Sequence, residues 1–472
     1  MTLLPEDPNA IFQRAVSLHR SGDLPRAIGL YRFLTARFPK NAQTLFALGT
    51  AESQLGHHAE GIAVLEESLR LLPANPKAHN NIANALIGLN RFDEALARYG
   101  RATAVDPNYA EGYFNQGALL ADLRRFHDAL ACLDKAVALR PDYAEARFMK
   151  AEVLLRSGDY EQGWDLYETR WETESRTTDA SFSEYPVWTG EQSIAGKTVL
   201  ITPEVGFGDF MLFFRYVPLL QQRGAQVVIY APSSLARLFA DSNQDIRIVE
   251  APHRPPRADF TCPIMSLPRA FRTTCGTIPA TVPYLEVAPE RQAHWRQTMG
   301  QTEVPRVGVA WTGQANRSVD NTPLRNRRIP TGLLPRLLNV PVQWHSLQKE
   351  IAPDDAIALQ DLGEVGLRRH ELDDFSDTAA LMTQLDLVIS TDTAVANLAG
   401  ALGKEVWVML PYATDYRWGV SDRRTPWYPT ATLFRQADAG DWERVIADVV
   451  RGLGIWLQQG SSRAGDGLSE RT

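Results

Sequence analysis

The sequence predicts an α plus α/β protein, in which a superhelix of helical repeats precedes two parallel-sheet lobes. Three observations carry this reading. Prolines recur every 34 residues in the first third of the chain, at Pro39, Pro73, Pro107 and Pro141. Short Val/Ile-rich runs alternate with helical patterns from Thr198 onward. That alternation pauses over a Pro-containing segment between Pro283 and Pro305 and then restarts. At 472 residues the chain also exceeds what one hydrophobic core organises.

The repeats are justified first. Twelve positions before each periodic proline stands a small residue: Ala27, Gly61, Ala95 and Ala129. Twelve further back stands another: Ala15, Gly49, Ala83 and Gly117, with Ala151 and Gly163 continuing the frame. Small residues let paired antiparallel helices approach closely, and the proline ends the second helix of each pair. Length and register resemble tetratricopeptide (TPR) repeats, with four full repeats and a fifth pair over residues 5–171. Such arrays bind extended peptides on a concave face. Asn81, Asn84 and Asn115 fall on first helices, where an amide can bond a peptide backbone without reading its sequence. The Asn ladder of the O-linked N-acetylglucosamine transferase array is similar. The same residues also fit a plain solvated helix surface.

Composition narrows the function. A net charge of -7 leaves no basic excess for nucleic-acid phosphates. Cys132, Cys262 and Cys275 are too few and too scattered for a disulfide framework or a zinc cluster. No apolar run approaches the roughly 20 residues that span a bilayer. The N-terminus lacks a basic region followed by an apolar core, so a cytoplasmic location is expected. The polar, Gly/Ser-rich tail over residues 458–472 reads as disordered.

Residues 172–192 read as a linker, polar and aperiodic. A first lobe over residues 193–300 has strands at 198–202, 226–230, 246–249 and 259–262, with a helix over 210–222. A second lobe over residues 301–457 has strands at 307–311, 342–347, 386–390 and 406–410. Apolar strands alternating with helices imply parallel sheets covered on both faces, hence two Rossmann-like lobes. Ligands in such folds sit at the carboxyl ends of strands, beside helix N-termini.

Two turns occupy that position. In Pro203–Asp209, Gly206 and Gly208 allow close approach of a ligand, and Asp209 is either a helix cap or a carboxylate that takes a proton from an attacking hydroxyl. In Ser390–Asn397, a polar turn opens a slim Ala/Leu/Gly helix whose free amides suit phosphate. Thr393 offers a hydroxyl there. Asp392 repels a diphosphate, so it caps the helix or accepts from sugar hydroxyls. Between these turns, Arg317, Arg325, Arg327 and Arg328 follow the strand ending at Trp311 and can neutralise a diphosphate, one or two of them touching ligand. Gln348 and Lys349 end another strand and add a polar, cationic contact. The aromatic residues of Tyr412–Trp418 wall a cleft or pack on the linker. Metal-binding, Walker and GxSxG motifs are missing, so amides and basic side chains are expected to stabilise a leaving diphosphate, with no metal or cofactor.

In order, EVGFGD, GVAWTG, SLQ, DFSDTAAL, DLVISTDTAVANLAGALG, VWVMLP, DYRW and WYP resemble the glycosyltransferase module of bacterial TPR proteins. That module is similar to the ADP-heptose:lipopolysaccharide heptosyltransferases (glycosyltransferase family 9), which have the GT-B fold. The resemblance runs from Lys197 to Val450. It implies inverting, metal-independent transfer of a hexosyl or heptosyl group from a nucleotide-diphosphate sugar. Asp209 matches the base, and Asp392, Thr393 and Ala394 match the donor-binding turn; Trp311, Arg325, Arg328, Gln348, Lys349 and Asn397 complete the expected donor side. The repeats imply a protein acceptor. Two departures stand out: Asn397 replaces the usual His, and Val205 and Phe210 replace polar residues. They motivate a rival, a non-catalytic TPR scaffold or nucleotide-sugar sensor. Action on a lipid-linked saccharide is a third reading, with no basic or amphipathic membrane patch to favour it.

Overall fold

A computed structural model describes residues 7–173, 182, 184–204, 206–253, 256–313, 322–360 and 367–469. Arg317 and Val205 lie outside the described residues. The chain divides into two compact units, Met1–Val153 and Leu154–Thr472.

Among its described residues the first unit contains helices and turns but no strand. Its pairs are α1 (Pro8–Arg20) with α2 (Leu24–Arg37), α3 (Ala42–Gln54) with α4 (His58–Leu71), α5 (Pro76–Gly88) with α6 (Phe92–Val105), and α7 (Ala110–Asp122) with α8 (Phe126–Leu139). Each periodic proline falls two residues after the second helix of its pair, where it cannot continue the helix. The small residues act as the spacing requires. A Cβ on Gly49 would lie 2.9 Å from the Gly61 carbonyl, and one on Gly61 would lie 2.8 Å from the Gly49 carbonyl. The backbones of α3 and α4 therefore touch at this pair. Ala15, Ala27, Ala129 and Leu133 are fully buried in the stacked cores. The helix α9 (Ala144–Ser157) crosses into the second unit.

The second compact unit, from Leu154, takes in the last helix of the 5–171 span read from the sequence. Its helix α10 (Tyr160–Tyr167) and the 3-10 turn Glu168–Glu172 pack into the α/β region. Trp164 meets Phe213 and Tyr416 edge-on, with ring centroids 6.1 and 5.2 Å apart. Trp427 Nε1 donates to Tyr160 Oη at 3.1 Å. The segment expected as a linker is partly structured too: Val187 bridges to Thr261, and the buried Trp188 donates its amide to the Thr261 carbonyl at 2.8 Å.

Two parallel sheets follow. The first comprises β1 (Thr198–Thr202), β2 (Gln226–Ala231), β3 (Arg247–Glu250) and β4 (Phe260–Pro263), in the order β3-β2-β1-β4. Among them lie α11 (Phe207–Phe214), α12 (Val217–Gln222) and α13 (Ser233–Ser242), then α14 (Leu267–Ala270) and α15 (Pro289–Met299). The single helix expected over 210–222 is two, because Pro218 has no N–H for a helix interior and disfavours helical geometry just before it.

The second sheet comprises β5 (Arg306–Ala310), β6 (Gln343–Ser346), β7 (Leu387–Thr391), β8 (Val406–Leu410) and β9 (Ala431–Arg435), in the order β6-β5-β7-β8-β9. Its helices are α16 (Leu334–Leu338), α17 (Pro353–Gln360), α18 (Phe375–Thr383), α19 (Ala394–Ala401) and α20 (Trp442–Ser469). Every residue of β7 and β8 is buried, as apolar runs in a covered parallel sheet must be. The strand β9 was not expected, since a 3-10 turn rather than an α-helix separates it from β8 among the described residues. The tail expected to be disordered from Gln458 instead continues α20 to Ser469. Trp442, Val445, Ile446, Val449 and Leu453 anchor that helix in the core, and propagation from an anchored helix costs little. No helix among the described residues is long and apolar enough to cross a membrane.

Candidate active site

Strand order points to the strand ends where ligands of such sheets bind. In the second sheet the chain moves from β5 outward to β6, then returns to β7 on the other side of β5. In the first it moves from β1 to β2 on one side and to β4 on the other. Crevices open beyond the carboxyl ends of strands at such reversals. The two turns singled out in the sequence sit there: Pro203–Asp209 after β1, and Asp392–Thr393 after β7.

The helices that follow these turns abut. A Cβ on Gly208 of α11 would lie 2.9 Å from Asn397 Nδ2 and 3.6 Å from Ala394 Cα, both on α19. A larger residue there would displace the Asn397 side chain. Gly206 is the N-cap of α11 and supplies no capping side chain. Asp209 is therefore not the cap; it sits in the first turn, buried. Its Oδ1 accepts from Arg417 Nη2 at 2.5 Å.

Arg417 is the centre of the arrangement. Its Nε donates to Asp415 Oδ1 at 2.9 Å and its Nη1 to Asn397 Oδ1 at 3.3 Å. Burial pushes its guanidinium toward neutrality, but the Asp415 and Asp209 carboxylates outweigh this and hold it charged. Asn397 makes two further bonds: Oδ1 also accepts from Tyr428 Oη at 2.9 Å, and Nδ2 donates to the Thr393 carbonyl at 2.9 Å. Thr393 caps α19, its Oγ1 accepting from the Val395 amide at 3.2 Å and lying 3.0 Å from Ser390 Oγ. Ala394 opens that helix. Asp392 is not the cap; it pairs with Arg327, whose Nη1 lies 3.5 Å from Oδ2 and donates to the Asp392 carbonyl at 2.9 Å.

The remaining expected donor residues form a second group. Trp311 is a core residue, fully buried, with Nε1 donating to Asp355 Oδ2 at 3.1 Å. The apolar ring fills the space between β5 and its covering helices, so its side chain faces no crevice. Arg328 donates to the same carboxylate at 3.0 Å, as does Thr331 at 2.7 Å. Burial raises the Asp355 carboxyl, but the hydrogen bonds from Thr331, Trp311 and Arg328 together hold it below its usual range. Gln348 Oε1 accepts from the Thr312 amide at 3.3 Å, and Lys349 Nζ donates to the Asp373 carbonyl at 2.9 Å. Arg325 is half-buried on a turn closed by its amide to Thr322 O at 3.0 Å.

Sequence reasoning passed over Arg417, although DYRW was noted, and passed over the partner of Glu204. Glu204 begins the glycine turn and is buried against Arg170, which reaches Oε2 through Nε at 2.8 Å and Oε1 through Nη2 at 2.9 Å.

In the repeat unit each of the three Asn residues makes a side-chain hydrogen bond. Asn81 donates to Thr50 at 2.9 Å, and Asn115 donates to Asn80 at 2.9 Å. Asn84 accepts from Tyr99 Oη. The exposed surface of Asn84 and the half-buried Asn81 and Asn115 lie along first helices α5 and α7.

Known proteins bear on both units. Family models described as tetratricopeptide repeat match residues 52–123, and residues 12–76 and 115–169. Protein FlbA of Caulobacter vibrioides is 26% identical over 476 residues, covering 95% of this chain and 73% of that protein. Protein O-mannosyl-transferase TMTC1 of Mus musculus is 26% identical over 108 residues, covering 22% of this chain and 10% of that protein. The crystal structure of TTC0263, a thermophilic TPR protein of Thermus thermophilus, is 22% identical, with a TM-score of 0.33; the match covers 36% of this chain and 93% of that one. The chain thus carries tetratricopeptide repeats between residues 12 and 169.

Proposed function

We propose that the α/β region is a GT-B glycosyltransferase that moves a hexosyl or heptosyl group, with inversion, from a nucleotide-diphosphate sugar to an acceptor. The supporting observation is the convergence of two strand-reversal turns around abutting helix N-termini, where Asp209 meets Arg417 and Asn397 links that guanidinium to the Thr393 carbonyl. Asp209 accepts the proton of the acceptor hydroxyl as that oxygen attacks the anomeric carbon. Arg417, with the amides opening α19, stabilises the diphosphate as it leaves, so no metal is needed for that charge. Arg325, Arg328, Gln348 and Lys349 contribute to donor binding at the ends of β5 and β6. The repeats present a protein acceptor, with Asn81, Asn84 and Asn115 bonding its backbone; the mouse relative's name, a protein O-mannosyl-transferase, is in keeping with this.

A panel of ADP-, GDP-, UDP- and dTDP-sugars tests the donor site. A donor that binds the folded state raises the melting temperature with concentration, and Thr393→Ala diminishes the rise. Asp209→Asn then cuts turnover by about 10²-fold or more while the donor still binds. No shift with any donor at millimolar concentration removes the reading.

One observation favours a second reading, a nucleotide-sugar sensor or scaffold without turnover. Asp209 and Asn397 are both taken up in internal bonds to Arg417. That reading predicts a thermal shift for a donor with no sugar transferred to any protein.

A further inference from the structure

Arg417 has two kinds of partner. On the side of the second sheet it is fixed: Asp415 Oδ1 accepts from both its backbone amide and its Nε at 2.9 Å, and Thr425 Oγ1 donates to its carbonyl. Across the junction its Nη2 reaches Asp209 on α11. If the Asp209 contact let go, Arg417 would keep its place. Thr391 Oγ1 at the end of β7 and Tyr416 Oη, the latter on a ring packed against Trp164 and Trp427, are buried with no hydrogen-bond partner among the described residues. Thr391 is fully buried at the end of β7, and Tyr416 is 6% exposed.

Resting on the glycosyl-transfer reading, we propose that Arg417 exchanges Asp209 for the leaving diphosphate, so one guanidinium couples proton uptake to leaving-group departure. The step balances. The acceptor O–H bond breaks and its proton passes to Asp209, which becomes a neutral acid. The acceptor oxygen bonds the anomeric carbon. The bond from that carbon to the diphosphate oxygen breaks, its electron pair staying on the oxygen. Asp209 loses its negative charge as the diphosphate gains one, and Arg417 turns from the first to the second. A buried guanidinium left without a countercharge is costly, so the exchange favours both events together.

The binding of nucleoside diphosphate alone tests this, because the product competes with Asp209 for Arg417. Isothermal titration would use ADP, GDP, UDP and dTDP with the full chain and its D209N, R417Q and D209N/R417Q variants. D209N removes the competing charge and keeps the shape, so it should bind the preferred diphosphate about tenfold more tightly, about 1.4 kcal/mol. R417Q should bind about tenfold more weakly, and D209N should bring no gain in its background. Unchanged or weaker binding by D209N overturns the exchange, as does an equal gain without Arg417. The D209N arm decides alone if R417Q does not fold. Failure of the wild type to bind any of the four overturns the glycosyl-transfer reading itself.

Discussion

Asn397 makes three hydrogen bonds with one amide, and the geometry explains why a neutral residue suffices there. Its oxygen has two lone pairs and accepts from both Arg417 and Tyr428, a double acceptance that a neutral imidazole nitrogen cannot provide. The positive charge beside the turn comes from Arg417. Elsewhere, charge is excluded rather than supplied. His345 is fully buried on β6, its Nδ1 2.9 Å from His370 Nε2, with the two rings stacked. Burial first, then His370 and Arg368, push its imidazole down to about 3 from the ordinary value near 6.5. The folded protein thus holds it neutral where the unfolded chain protonates. Its contribution to stability is complete above about pH 6.5 and is lost as pH falls from there toward 3. Urea unfolding at pH 6.5 and 5, above the main carboxylate range, should show a loss of order 1 kcal/mol per pH unit that His345→Gln reduces. An equal slope in the variant would show that another group titrates.

At the scale of elements, the 3-10 turn Glu168–Glu172 that follows α10 is tied to the end of β1 by a buried bidentate ion pair. Arg170 is fully buried, and its guanidinium bonds Glu204 and Glu168 at 2.8 Å and Ser266 at 2.8 Å; the Glu204 side chain is 1% exposed. Burial lowers the affinity of this guanidinium for its proton, but Glu204 more than offsets it and the group stays charged. Breaking such a pair on one side strands a buried charge, whereas replacing both sides does not. Arg170→Met should therefore destabilise the protein by about 3–5 kcal/mol, and Arg170→Met/Glu204→Met should recover most of that in denaturant unfolding. A double variant as unstable as the single would mean that lost packing dominates. This pair also marks where the sequence stops being legible. The repeat register and the β7 and β8 runs need only local or 34-residue information, and they were readable. The Arg170–Glu204 pair joins a helix to a strand end across a segment without periodicity, and Arg417 meets Asp209 across 208 residues. Nothing in a local pattern names such partners. The strand β9 was missed for a related reason, since its connection carries no α-helix to set the rhythm.

For the whole molecule, the decisive matter is where the second unit begins. Read by period alone, α10 belongs to the last repeat, because Ala151 and Gly163 keep the frame of small residues. Its side chains behave otherwise. Tyr160, Trp164 and Tyr167, with Arg170 on the 3-10 turn that follows, are all buried, and their partners within the second unit include Phe213, Tyr416, Trp427, Glu204 and Ser266. Three large aromatic rings at roughly 1.5–3 kcal/mol each are comparable to the roughly 5–15 kcal/mol by which a domain is stable. A fragment over 154–472 should then fold cooperatively on its own. A fragment over 172–472 exposes Phe213, Tyr416 and Trp427 and strands Glu204 without its cation, so it should aggregate or melt many degrees lower. Calorimetric melting of the two purified fragments compares them directly. Equal melting temperatures would return α10 to the repeats and place the boundary at residue 171.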